Sequence, residues 1–245
     1  KIAVCYIDGI VKEDILNEVL RRVKTINIDF APDSGFVEQW IEDNLLSPFP
    51  QILDTERPDR VAYNILKGKI AIIVEGSPFA LLMPITLGDS LKSIEDYNQR
   101  WLISSLLRLL RLVSFYMTIF LPAFYVALIS YHPELIPSQL LFTITASREG
   151  IPFPSLIEAL IIVFFYEVLL EAGTRLPYKI SQTIGIVGGI VIGQIAVMAG
   201  IVTPIMVIVI SLTAICAFTI PNYSFAIGLR TLRLAAIFAA AFLGL

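Results

Sequence analysis

The sequence predicts an α+β protein, in which a small α/β domain is followed by a multi-pass α-helical membrane domain. The 245 residues are 56% apolar with a mean hydropathy of +0.79, more apolar than an ordinary soluble domain. Residues 180–229 contain no Asp, Glu, Lys, Arg or His, and roughly 20 apolar residues already cross a membrane. Charge is concentrated earlier, because residues 1–111 hold 13 of the 18 Lys and Arg residues and 16 of the 21 Asp and Glu residues.

Residues 1–99 are interpreted as the C-terminal part of a cytoplasmic α/β domain. The predicted elements are a strand at 2–7, helices at 11–25, 36–46 and 59–67, and a hairpin of strands at 69–74 and 79–84. The hairpin is expected because Glu75-Gly76-Ser77-Pro78 is a turn sequence between two apolar runs. No glycine-rich phosphate loop follows a strand, so neither a nucleotide site nor an enzymatic activity is predicted.

Residues 100–111 are predicted to form an interfacial basic helix or linker. Leucines are interspersed there with Arg100, Arg108 and Arg111, and Trp101 lies near its start. Arginine and tryptophan just ahead of a membrane crossing are typical of the headgroup layer on the cytoplasmic side. The alternative is a soluble linker helix.

Residues 112–245 are predicted to form the α-helical membrane domain. We expect passes near 112–131, 152–170, 181–200 and 204–221, and an incomplete one at 234–245. The segment 135–147 is too short to cross and is predicted to be interfacial or re-entrant. Since the chain has no initiator Met and its last apolar segment is short, we expect a fragment of a longer protein.

The distribution of positive charge predicts the orientation of these passes. If residues 1–111 are cytoplasmic, segments 171–180 and 222–233 are cytoplasmic too, and the segments at 132–150 and 201–203 lie on the opposite side. The cytoplasmic segments hold Arg175, Lys179, Arg230 and Arg233, whereas the opposite side holds only Arg148. This asymmetry follows the positive-inside rule.

Glutamates in the second pass are candidates for an ion path. Glu158 and Glu167 are nine residues apart, so they face opposite sides of a helix. Glu167 shares a face with Glu171, and Arg175 lies one turn further on. These carboxylates could form a cation-attracting ring when several copies assemble. The alternative for Glu171 and Arg175 is a structural ion pair.

The uncharged hairpin and the turn before the second pass supply further candidates. Gly185, Gly189 and Gly193 recur every four residues, which favours close helix packing, with a pore lining as the alternative. Gln194 beside them needs a polar partner or water and is a further ion-path candidate. A charged hinge of Arg148 and Glu149 could act as a gate or contact a partner, or it could be a solvated turn. Arg175 is a further candidate for a gate or partner contact.

Several kinds of site are not predicted. The lone His132 has no cluster of ligands at metal spacing, so no metal or other cofactor is expected. Cys5 and Cys216 are interpreted as small buried residues rather than a disulfide. The net charge of −3 gives no basis for a nucleic-acid partner.

Many ordered runs of the sequence resemble the A subunit of the GerA-type spore germination receptors of endospore-forming bacteria. The most specific is Ser147-Arg148-Glu149-Gly150-Ile151-Pro152-Phe153-Pro154. Others are Pro48-Phe49-Pro50-Gln51, Thr55-Glu56-Arg57-Pro58-Asp59-Arg60-Val61-Ala62, His132-Pro133-Glu134-Leu135-Ile136-Pro137, Glu171-Ala172-Gly173-Thr174-Arg175-Leu176-Pro177 and Ile220-Pro221-Asn222-Tyr223.

The resemblance implies a membrane subunit of a nutrient-germinant receptor in the inner membrane of the bacterial spore. It implies B (transporter-like) and C (lipoprotein) subunits and membrane lipid as partners, and a homo-oligomer that forms or gates a cation channel to trigger germination. Two other functions stay open from the residues alone. One is a secondary transporter, for which we find no repeat between two halves, and the other is a non-conducting membrane scaffold for signalling partners.

Overall fold

The computed structural model describes residues 1–27, 33–44, 46–175 and 193–244. The chain divides into two compact units. Unit 1 consists of Lys1–Leu112 together with Ile220–Gly228, and unit 2 consists of Val113–Thr219 together with Leu229–Leu245.

Unit 1 contains a four-stranded sheet in the order β1-β3-β4-β2. Its strands are β1 (Ile2–Cys5), β2 (Leu53–Thr55), β3 (Ile70–Val74) and β4 (Ala80–Met83). The predicted hairpin is confirmed, because β3 and β4 pair antiparallel with Ile70 opposite Met83. All three pairings are antiparallel, so this unit is α+β rather than the predicted α/β. The three-residue β2 was not predicted, because it is too short to show alternation.

Four helices belong to the N-terminal part of unit 1: α1 (Glu13–Thr25), α2 (Ser34–Ile41), α3 (Pro58–Leu66) and α4 (Leu87–Leu91). Since side chains alternate across a strand, the sheet separates two apolar clusters. Ile70 and Ile72 pack with Leu16 of α1 and Val37 of α2. The opposite face carries a smaller cluster of Leu53, Ala71 and Leu82, against which Val61 and Ile65 of α3 pack.

Helix α5 (Trp101–Ser130) is continuous for 30 residues. The predicted division between 100–111 and 112–131 is therefore not a break in the helix. Arg111 donates to both carboxylate oxygens of Asp96, at 2.6 and 2.7 Å, and Arg108 Nε donates at 3.3 Å. Burial opposes ionisation of Asp96, but the bonds from Arg111, the Ser93 amide and Arg108 outweigh it and hold its pKa below the usual range.

The remaining helices are α6 (Ser138–Arg148), α7 (Ser155–Arg175), α8 (Pro204–Phe218) and α9 (Tyr223–Leu243). Residues 193–198 are also helical. Among the described residues, α5 and α9 are long and apolar enough to cross a membrane, whereas α8 is apolar but shorter. In unit 2, α5, α7, α8 and α9 share one apolar core, which includes Val126, Ala159, Met206 and Ile237.

Two predicted loops are helical in the structure. The loop expected to start at Glu171 is wrong, because α7 continues to Arg175. The side chains of Glu171 and Arg175 pair across the last turn of this helix. Residues 222–233 were expected to be a loop before a segment near 234, but α9 already begins at Tyr223. Arg230 and Arg233 therefore lie inside a helix. Charged residues mark a loop only when they are solvated, and these arginines are paired.

The start of α9 packs closely within unit 1. The ring of Phe225 lies 5.4 Å from that of Phe49, and Ser224 Oγ donates to Asp54 at 3.4 Å. A Cβ added to Gly228 would collide with the carbonyl oxygen of Pro48 and lie 3.0 Å from Phe49 Cδ1. Backbone at this position leaves no room for a side chain.

We therefore predict that Gly228→Ala lowers the thermal unfolding midpoint, because the backbone of residue 48 must shift to admit the methyl group. Gly35→Ala is the matched control, since Gly35 is also helical and its added Cβ meets no atom within 4 Å. Alanine favours helix by up to about 1 kcal/mol over glycine, so the control should be neutral or stabilising. Equal midpoints for the two variants would contradict the close approach.

Glu38 on α2 titrates in an unusual range. Burial raises the pKa of its carboxyl to about 7, and the nearby charges of Asp54, Glu42 and Asp33 act in the same direction. In the unfolded chain this carboxyl has the ordinary glutamate pKa of about 4.5. Between about pH 4.5 and 7 the folded state therefore binds more protons than the unfolded state.

It follows that the free energy of unfolding should decrease as the pH rises through this window. Glu38→Gln removes the titrating group and should flatten the decrease in denaturant titrations at pH 4.5 and 7. Glu56→Gln, at an exposed position of the same unit, is the control and should keep the wild-type slope. A wild-type slope in the Glu38 variant would refute the assignment.

Candidate functional site

Glu158 is at the centre of a buried polar cluster in unit 2. Its side chain is fully buried, and Oε2 accepts a hydrogen bond from Arg148 Nη1 at 2.9 Å. Oε1 accepts from the backbone N of Thr203 at 2.7 Å and from its hydroxyl at 2.5 Å. Tyr125 of α5 lies beside this group, with its hydroxyl 3.3 Å from the Thr203 hydroxyl. The carboxylate thus joins the end of α6, the start of α7 and the start of α8.

Local sequence explains how these groups come together. Glu158 lies in the first turn of α7, where the free backbone N–H groups of a helix favour a negative charge. Thr203 is the N-cap of α8, with Pro204 in the first turn, and its hydroxyl accepts from Met206 N. The Thr203 hydroxyl therefore caps the N-terminus of α8 and also donates a hydrogen bond to the buried Glu158 carboxylate.

Glu167 forms a second cluster two and a half turns further along α7. It pairs with Arg230 at 3.3 Å and with Arg233. The Arg233 side chain is fully buried, and its guanidinium carbon lies 5.4 Å from the centre of the Tyr166 ring. Among the described residues, its Nε and Nη1 have no hydrogen-bond partner. Two arginines therefore share the carboxylate of Glu167.

The other candidates are dispersed. Arg175 and Glu171 form an exposed ion pair at 2.5 Å, which is the structural alternative stated for them. Glu149 and Gln194 are exposed. A Cβ on Gly193 would lie 3.5 Å from Val207 of α8, an ordinary packing distance. Gly185 and Gly189 lie outside the described residues.

The structure thus brings Arg148 together with Glu158 and separates both from Glu167. This agrees with the expectation that Glu158 and Glu167 face opposite sides of α7. Sequence reasoning missed Thr203 and Tyr125, which are uncharged, and did not pair Glu167 with Arg230 and Arg233. The sequence did carry one usable signal. Only five Lys and Arg residues follow residue 111, and because charged residues in apolar segments usually pair with one another, these five were the available partners of the glutamates.

The ion pairs of Glu158 and Glu167 can hold neighbouring helices together, and they would weaken if either partner lost its charge. Within the described ranges, no group of three or more His, Cys, Asp or Glu residues could hold a metal ion. Arginine suits these pairs, because its planar fork stays charged and can donate to two acceptors.

We predict that Glu158→Leu destabilises the protein by about 3–5 kcal/mol, because it leaves the Arg148 guanidinium without its counter-charge. The double variant Glu158→Leu/Arg148→Met should recover most of this loss. Glu171→Gln breaks an exposed pair and should cost less than about 1 kcal/mol. Unfolding of the purified protein in detergent measures all three. Equal effects of the Glu158 and Glu171 variants would contradict the buried cluster.

Comparisons with known proteins agree on a family. The family model described as Bacillus/Clostridium GerA spore germination protein matches residues 1–245. The chain is 48% identical to spore germination protein B1 of Bacillus subtilis (strain 168), over the whole chain and 51% of that protein. It is 49% identical to spore germination protein GerLA of Bacillus cereus, over the whole chain and 50% of that protein. The chain therefore spans about half the length of these relatives.

A solved structure also matches part of the chain. It is the crystal structure of the N-terminal domain of the A subunit of the Bacillus megaterium spore germinant receptor GerK3. The match has 46% identity and a TM-score of 0.27, and covers 35% of this chain and 68% of that one. With the family model matching every residue, the chain belongs to the GerA family of spore germination proteins.

Proposed function

We propose that this chain is part of the A subunit of a nutrient-germinant receptor, a non-enzymatic membrane subunit that oligomerises to form or gate a cation channel in germination. The observation that carries the proposal is the placement of Glu158 and Glu167 in an apolar helical unit, each held by arginine. Charge in such surroundings is costly and usually marks an ion path or a switch. Membership of the germination family supplies the biological context.

In this proposal the helices of unit 2 cross the membrane several times, with residues 1–111 on the cytoplasmic side of the spore inner membrane. Large apolar side chains exposed on unit 2 support such surroundings. Phe124, Phe164, Ile208 and Phe218 are each more than half exposed, so lipid or a second copy would cover them. B and C receptor subunits would complete the complex.

The two clusters have different roles in the proposed channel. Both carboxylate oxygens of Glu158 are bonded to protein donors, so Glu158 links α6, α7 and α8 in one packing. Glu167 is 30% exposed and lies in the cluster with two arginines. The arrangement fits a resting state, in which conduction requires these pairs to separate.

Single-channel recording of the reconstituted full-length protein tests the proposal. Glu158→Gln should increase spontaneous openings, because it weakens the link between α7 and α8. Glu167→Gln should lower cation conductance, because it removes the negative charge that pairs with Arg230 and Arg233. Glu171→Gln is the control and should resemble the wild type.

Two outcomes would overturn the channel proposal. Saturable, substrate-coupled flux without channel events would indicate a secondary transporter. No conductance from a confirmed oligomer, with B and C subunits present, would indicate a scaffold. The scaffold is a specific alternative, because the same clusters would serve it as purely structural ion pairs.

A further inference from the structure

A cleft in unit 1 has the size of a small-molecule binding site. Its volume is about 610 Å³, within the range of roughly 300–1,000 Å³ that is usual for such sites. It is bounded by α1, the end of α2, the segment 42–52 and the segment that follows β4. Residues of α1 from Asp14 to Arg22 line one wall, which a rise of 1.5 Å per residue makes about 12 Å long.

The floor of this cleft is apolar. Val19, Ile41, Ile52 and Met83 line it, and each is at most 5% exposed. All four belong to the apolar cluster on the face of the sheet that α1 covers. An apolar group bound here would therefore leave water and extend that cluster.

The segment 42–52 is held in place by its own hydrogen bonds. Gln51 N donates to Glu42 Oε1 at 3.1 Å, and Asp43 N donates to Gln51 Oε1 at 2.8 Å. Phe49 packs in turn against the ring of Phe225. This wall of the cleft is thus preformed, and a preformed site costs less free energy to order when a ligand binds.

Arg22, the cation in the described lining of the cleft, is already bound to acidic neighbours. It pairs with Glu18 at 2.7 Å and with Asp43. Arg21, outside the lining, is a second partner of Glu18. Lys12 precedes α1 and is also outside the lining. The two arginines and the two carboxylates balance one another, so they contribute no net charge to the cleft.

Two further carboxylates of the lining have no counter-charge. Asp14 is exposed in the first turn of α1, and Glu42 is half-buried just after α2. Across the described ranges, neither forms an ion pair. Burial, and then the charges of Asp54, Glu42 and Asp33, raise the pKa of Glu38, so negative charge already accumulates around Glu42. A cation would balance these carboxylates.

We infer that this cleft binds a small organic cation, with a primary ammonium group on an apolar body. Asp14 and Glu42 balance the ammonium charge, and the apolar floor takes the body. A stable protein partner covers roughly 800 Å² on each side, which is more than a cleft of this size offers, so the ligand is a free small molecule. The inference goes beyond the proposed channel and depends neither on membrane placement nor on ion conduction.

Fluorine NMR of the full-length protein in detergent tests this site. The probe is 4-fluorophenethylamine, and the comparison is 4-fluorophenethyl alcohol, which has the same ring without the charge. The test variant is Asp14→Asn/Glu42→Gln, in which an amide oxygen can still accept from Gln51 N. The matched control is Glu13→Gln/Glu56→Gln, which removes two exposed carboxylates of the same unit outside the cleft.

The amine should bind about 10-fold more tightly than the alcohol, and the test variant should lose about 10-fold in affinity for the amine, the least expected when a hydrogen bond to a charged group is lost. The control should bind the amine like the wild type. Ile15→Trp, which narrows the cleft and keeps both carboxylates, should weaken the binding of both probes. Thermal unfolding midpoints near that of the wild type verify that each variant is folded.

Equal loss in the test and control variants would overturn the site, since it would reflect net charge alone. Unchanged binding by folded Ile15→Trp would place the amine outside the cleft. Binding of acetyl-Leu-Lys-Leu-amide in place of the amine would assign the cleft to a protein partner. Amine binding that weakens as the protein concentration rises would assign it to a second copy. Either result would overturn the small ligand, whereas a lack of conductance would refute only the channel.

Discussion

Glu158 is fully buried among apolar helices, and among the described residues Arg148 and Thr203 supply the hydrogen bonds that its carboxylate receives. Desolvating a carboxylate costs several kcal/mol, and a close ion pair with further hydrogen bonds can offset that cost. The three donors come from two other elements of unit 2. Glu158 thus links α6 and α8 to α7 by hydrogen bonds, in addition to the apolar core that α7 and α8 share.

The same solution recurs at two other carboxylates. Asp96 is bonded by Arg108 and Arg111, and Glu167 by Arg230 and Arg233. In each case an acidic residue of one element binds arginines of another. Lysine, a single point charge, could not donate in parallel to both oxygens as Arg111 does.

The sequence predicted best those features that depend on nearby residues. Apolar runs on both sides of Glu75-Gly76-Ser77-Pro78 were enough to predict the hairpin of β3 and β4. The loops predicted to start at Glu171 and to hold Arg230 were wrong, because charged residues were taken to mark loops. Glu171 and Arg175 instead pair across the exposed last turn of α7, and Arg230 pairs with Glu167 from inside α9. The partner of Glu158 was missed for a different reason. Thr203 is uncharged and 45 residues away, and no local pattern marks such a contact.

The distances along the sequence between Glu158 and its two partners also determine the order in which these contacts can form during synthesis. Arg148 precedes Glu158 by ten residues, whereas Thr203 follows it by 45. During synthesis, Arg148 and Glu158 emerge almost together, and their opposite charges can enter the membrane as a neutral pair, in keeping with the placement proposed above. The hydroxyl of Thr203 arrives later and completes the site. In the proposed membrane placement, α7 would thus be inserted before α8 is synthesised, and the hydrogen bonds from Thr203 to Glu158 would form last.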